Sequence, residues 1–208
     1  MVQSKPIRIK GSNRVFTKFN TARGIAIASY ANLERCLVQW FAHLMRTDID
    51  YAGVPFFRIN NTRARNAILG KLMRKRYGSV YSHFWNPLET ALNSHDQIRN
   101  EIVHWTILSI TSPSTGKLVN VKLIPPNYWD RDANSPKKTI GDMSNFSDRC
   151  RYFIRAVDML HYVASGLKPE QPAWRDICTQ AIPDPLPNNH LLSPSVKEPR
   201  ILRQAFPR

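Results

Sequence analysis

Between Thr21 and about Arg46, the apolar residues Ile25, Ala28, Leu33, Leu37, Trp40 and Leu44 recur at steps of three, four and five. This spacing predicts a long amphipathic helix, with Asn20 or Thr21 available as its cap. The stretch "TDIDYAGVPFFRINN" then reads as a loop, after which Thr62 can cap a shorter helix carrying Ala67, Leu69, Leu72 and Met73 and stopping near Gly78. Asn86-Pro87 has the form of an N-cap followed by proline at the first helical position, where its missing N–H costs nothing. From there Leu88, Ala91, Leu92, His95, Ile98, Ile102 and Trp105 form a seam that should pack lengthwise on the first helix.

The period then changes. "TILSI" and "LVNVKLI" flank "TSPSTGK", and Val119, Val121 and Leu123 alternate with Asn120 and Lys122, which predicts a hairpin over about 106–124. Helical spacing returns from about Asp142 to Ser165 through Met143, Phe146, Cys150, Ile154, Val157 and Leu160, ending at Gly166. The 42 residues beyond contain eight of the fifteen prolines and little periodicity, so an extended tail is expected. The fold class is therefore mainly α: an antiparallel helical bundle with a small β-hairpin insertion and an extended proline-rich C-terminal tail. Three segments are expected, an arm over 1–20, a helical domain over 21–166 and the tail over 167–208.

Charge changes this picture more than composition does. Thirty Lys and Arg stand against fifteen Asp and Glu, a formal +15, and such a field attracts polyanions. The charge is concentrated in two acid-free windows. One is the N-terminal arm, with Lys5, Arg8, Lys10, Arg14, Lys18 and, just beyond it, Arg23; the other, from Tyr51 to Leu88, holds Arg58, Arg63, Arg65, Lys71, Arg74, Lys75 and Arg76. These seven are the candidate nucleic-acid-binding residues, with RNA as the expected partner.

Cys36, Cys150 and Cys178 are odd in number and widely spaced, so reduced thiols are expected rather than a disulfide framework or a zinc site. Asp130 and Asp132 sit in a polar loop and Glu34 stands alone on its helix, so no metal or other cofactor is expected. With no signal-like or membrane-length apolar run, the expected location is the cytoplasm, without a membrane partner.

One stretch of the seam stands apart. In "IRNEIVHW", with Ile98 at zero and about 100° per residue, Ile102 and Trp105 share the apolar stripe, while Asn100 and His104 share the opposite face and Arg99 leaves the flank. The loose pattern of Arg, four to six residues, then His occurs three times, against about one or two expected by chance. Only Arg99 is followed by Asn and then, four positions later, by His, for which the chance expectation is roughly 0.04. The span from Arg76 to His83 crosses Gly78, and Arg155 is followed by Ala156, so those two are set aside.

Arg99-Asn100-Glu101-Ile102-Val103-His104 resembles the signature of the HEPN superfamily, in which an Arg and a His four to six residues apart lie on a long helix, and the likeness extends to the helical architecture from about Thr21 to Gly166. The resemblance implies a metal-independent endoribonuclease acting as a homodimer, in toxin, antiviral defence or stress response, restrained by an antitoxin or other regulatory partner. It equally admits a noncatalytic module for nucleic-acid binding or dimerisation, because activity belongs to the site and not to the fold. In the catalytic reading His104 is the acid or base, Arg99 holds the phosphoryl charge, and Asn100 orients His104 or the phosphate. Glu34 can pair with Arg99 or remain an ordinary surface glutamate.

Overall fold

The computed structural model describes residues 12–126, 136–166 and 178–179. Its elements follow one another as α1 (Ser12–Met45), α2 (Ile49–Arg58), α3 (Thr62–Tyr77), α4 (Ser82–His104), β1 (Thr106–Thr111), β2 (Leu118–Ile124) and α5 (Ile140–Ala164). The protein is mainly helical, with one two-stranded antiparallel sheet. The chain gathers into two compact units: residues up to Ala28 with Ile98–Ser147, and Ser29–Gln97 with the residues from Asp148 onward. α1, α4 and α5 each contribute residues to both.

The first unit buries Phe19 and Ala26 of α1, Ile102 of α4, Val121, Leu123 and Ile124 of β2, and Met143 and Phe146 of α5. In the hairpin Thr106 pairs with Ile124 and Ser109 with Val121, and Gly116 takes the positive φ that its turn requires. The alternation read from the sequence holds at Val121 and Leu123, whereas Val119 lies exposed toward the hairpin tip. Leu123 also exchanges both backbone hydrogen bonds with Lys138 just before α5, which starts in a capping box: Asp142 accepts from the Thr139 N–H and hydroxyl, and Thr139 Oγ1 accepts in return from the Asp142 N–H.

In the second unit, Glu34 meets Arg65 and His43 meets Tyr77, so α3 runs alongside α1 in the same direction. Cys36 meets Ile154 and Asp158, and His43 meets His161, so α5 does too. Asn66 meets Asn93, while Gly70 faces Trp85 and Glu89, so α4 runs antiparallel to these three. A Cβ on Gly70 would lie 2.9 Å from both Trp85 Nε1 and Glu89 Oε2; glycine there lets α3 and α4 approach closely, under the hydrogen bond that joins those two side chains. Tyr30 donates to Asp96 at 2.7 Å, one point at which α4 meets α1. Leu33, Leu37, Trp40, Leu44, Leu69, Met73, Leu88, Leu92, Phe153, Val157 and Leu160 fill the core, and His95, on the apolar seam of α4, is buried against Cys150 Sγ at 3.1 Å.

Several expectations need correction. The segment read as a loop contains α2, capped by Asp48 and anchored by buried Ala52 and Phe56; Gly53 and Pro55 had hidden that i, i+4 pair. α4 starts at Ser82, not at Asn86, and carries Pro87 inside it. α1 starts at Ser12, so the second half of the basic arm is helical, and Ile25, expected in the core, is 55% exposed. α3 is capped by Asn61, whose Oδ1 accepts from the Ala64 N–H at 3.1 Å, rather than by Thr62. Residues 1–11 of the arm and, apart from residues 178–179, the proline-rich tail lie outside the described residues.

Candidate functional site

α4 must end abruptly, because strand β1 begins two residues after His104 and no glycine is available to wind its last carbonyls into a cap. Arg23 of α1 supplies the missing partner. Its Nε donates to the Ile102 carbonyl at 2.8 Å, and its Nη2 donates to those of Val103 at 2.8 Å and Trp105 at 3.4 Å. A guanidinium here also meets the negative end of the helix dipole. On the same turns Glu101 pairs with Lys138 at 2.9 Å, and the Lys138 ammonium lies 5.8 Å from the centroid of the Trp105 ring.

This anchored turn displays the three residues singled out by their spacing. Asn100 and His104 are exposed, Arg99 is half-buried, and Arg99 Nη1 donates to Asn100 Oδ1 at 2.7 Å. The bond gives Asn100 a partner that was not foreseen: its amide oxygen steadies the guanidinium, leaving the amide N–H groups as its donors. Glu34, a candidate partner for Arg99, instead accepts from Arg65 at 2.8 Å.

Arg65 is 7% exposed; it also donates to Thr62 Oγ1 and lies over the Phe56 ring. Its charge is spent inside the protein, which corrects its assignment to a nucleic-acid surface. Arg76 is half-buried and donates to the carbonyls of His43 and Leu44, so it too serves mainly as a helix-end clamp. The other five cations, Arg58, Arg63, Lys71, Arg74 and Lys75, are exposed. At about 100° per residue the four on α3 fall within an arc of about 120°, a continuous positive face.

A second group was missed in the motif comparison. His43, near the end of α1, stacks on Trp40 with centroids 5.2 Å apart and shares a 2.7 Å hydrogen bond with the Tyr77 hydroxyl. The His161 ring centroid lies 4.6 Å from that of His43. Arg76 and His161 belonged to the two motif matches set aside; packing brings them together with a histidine that no motif contained. Burial, then His161 and Arg76, push the His43 imidazole down to about 4. Burial and Arg76 lower His161 as well, while burial raises Tyr77 despite the opposing Arg76 and Arg46 charges. The cluster therefore holds neutral rings at neutral pH.

The three cysteines are buried and unpaired, with burial pushing Cys150 and Cys178 up to about 12. Among the described residues no three His, Cys, Asp or Glu side chains gather in a metal-binding arrangement, and no helix is long and apolar enough to cross a membrane. No family model, curated protein or solved structure matches the chain.

Proposed function

We propose that the protein is a metal-independent endoribonuclease, with Arg99, Asn100 and His104 as its reactive group. The reading rests on one observation: three residues suited to phosphodiester chemistry, Asn100 and His104 exposed and Arg99 half-buried, share the last turns of a helix whose end carbonyls Arg23 holds. Cleavage through RNA's own 2′-hydroxyl needs a proton acceptor for the attacking oxygen and a donor for the leaving one, and an exposed imidazole can serve as either. Arg99 donates to the non-bridging phosphoryl oxygens, where charge accumulates.

The trio contains one imidazole, so the reaction is placed in a pair of copies whose two His104 side chains act as base and acid. A second reading, noncatalytic RNA binding, draws on a separate observation, the exposed cationic face of α3. Labelled RNA incubated with the purified protein in a chelator separates the two. The catalytic reading expects products ending in 2′,3′-cyclic phosphate, formed by wild type and lost in both His104→Ala and Arg99→Ala; salt-sensitive binding without cleavage selects the second.

A further inference from the structure

The positive face of α3 ends beside a crevice of a different character. Where α3 gives way to α4, the crevice is lined by Arg74, Tyr77, Tyr81, Ser82 and Asn86 over a floor that includes Trp85. Trp85 is buried with its Nε1 bonded to Glu89, so it contributes a fixed apolar base. Tyr77 is held through its hydroxyl by His43 at 2.7 Å and by the Ala164 carbonyl at 3.4 Å, and Arg76 lies over its ring. Tyr81 meets the Tyr77 ring edge to face, centroids 5.5 Å apart, and is itself half-exposed. A braced tyrosine thus supports a second one that reaches solvent.

Arg74 belongs both to this crevice and to the exposed arc with Arg63, Lys71 and Lys75. We infer that this surface binds single-stranded RNA: the α3 cations follow the backbone phosphates, and one unpaired base stacks on Tyr81. Ser82 and Asn86 offer hydroxyl and amide groups to that base's edge. Charge complementarity favours a polyanion, since no Asp or Glu occurs from Tyr51 to Leu88. The aromatic ring favours a single strand, because bases in a duplex keep their faces stacked on one another. The choice of RNA rests on the proposed reaction, although the surface itself stands on residues that take no part in it.

The test uses the full chain carrying His104→Ala, so that the probe survives, titrated against fluorescent oligouridine and against an RNA duplex of equal length. Oligouridine should bind more tightly than duplex. Tyr81→Leu, which keeps an apolar side chain but removes the flat ring, should weaken binding about ten-fold, and Tyr81→Phe should restore it. Arg74→Gln, on the surface, should weaken binding and lower the slope of log affinity against log salt by about one. Equal affinity for duplex and single strand, or unchanged affinity in Tyr81→Leu or Arg74→Gln, overturns the inference. Wild-type protein that binds oligouridine this way yet cleaves no RNA removes the catalytic reading alone; cleavage with Tyr81-independent binding removes only this one.

Discussion

At the end of α4, His104 is exposed five residues beyond Arg99, whereas near the end of α1 the His43 ring is stacked on Trp40 with His161 and Arg76 beside it. The residue types are the same and the surroundings are opposite. An exposed imidazole can reach a substrate. One packed among rings beside a guanidinium is held neutral, and what it contributes is the joining of three helix ends. An arginine and a histidine at a given spacing therefore have no fixed meaning until packing decides which of them faces water.

The sharpest way to break this comparison is to remove one member from each side. His104→Ala should lower RNA cleavage by about 10²- to 10⁴-fold with no change in thermal melting; a lowered melting temperature would assign it a structural role. Trp40→Ala should do the converse, costing about 3–5 kcal/mol in urea unfolding while the protein that remains folded still cleaves.

Acid should distinguish the two regions next. The folded value of His43, about 4, lies below its ordinary 6.5, so the folded state binds fewer protons than the unfolded one. The cluster's contribution is complete above pH 6.5 and is lost as pH falls through 4, and the lowered His161 acts in the same direction. Denaturation midpoints should therefore drop across that window, and His43→Gln with His161→Gln should flatten the slope; an unchanged slope would count against the cluster. The smallest effect is expected at Arg46, which closes α1 at φ 54° with the paired hydrogen bonds Arg46 N–H to His43 carbonyl and Thr47 N–H to Ala42 carbonyl. Glycine takes that conformation without strain, so Arg46→Gly should raise stability by about 1 kcal/mol in the same unfolding experiment.

Much of this architecture was legible in the sequence because burial imposes a period. Leu33, Leu37, Trp40 and Leu44 marked the inner face of α1, the alternation at Val121 and Leu123 marked the hairpin, and Gly78 marked the end of α3, where it takes φ 65°. Local punctuation was less dependable. Pro55 and Pro87 both lie inside helices, because the apolar contacts of Phe56 in one case and of Phe84, Trp85 and Leu88 in the other outweigh one missing N–H.

The candidate trio was found from spacing and its helical face, both local properties. Its support was not. Arg23 lies 79 residues before the Ile102 carbonyl it clamps, and in the acid-free N-terminal window it reads as one more surface cation. The same limit explains Arg65 and Arg76: charge density marked the region, but only packing showed that these two guanidiniums are spent on Glu34 and on the end of α1. The ring cluster had no linear signature, since His43, Tyr77 and His161 come from three separate helices.

Chemical rescue tests whether the imidazole at position 104 does the chemistry. Because position 104 is exposed, free imidazole can reach the space left by His104→Ala. Added imidazole should restore cyclic-phosphate formation in this variant in proportion to its concentration, with no such response from Arg99→Ala. Cleavage by His104→Ala at the wild-type rate before any imidazole is added would contradict that role for His104.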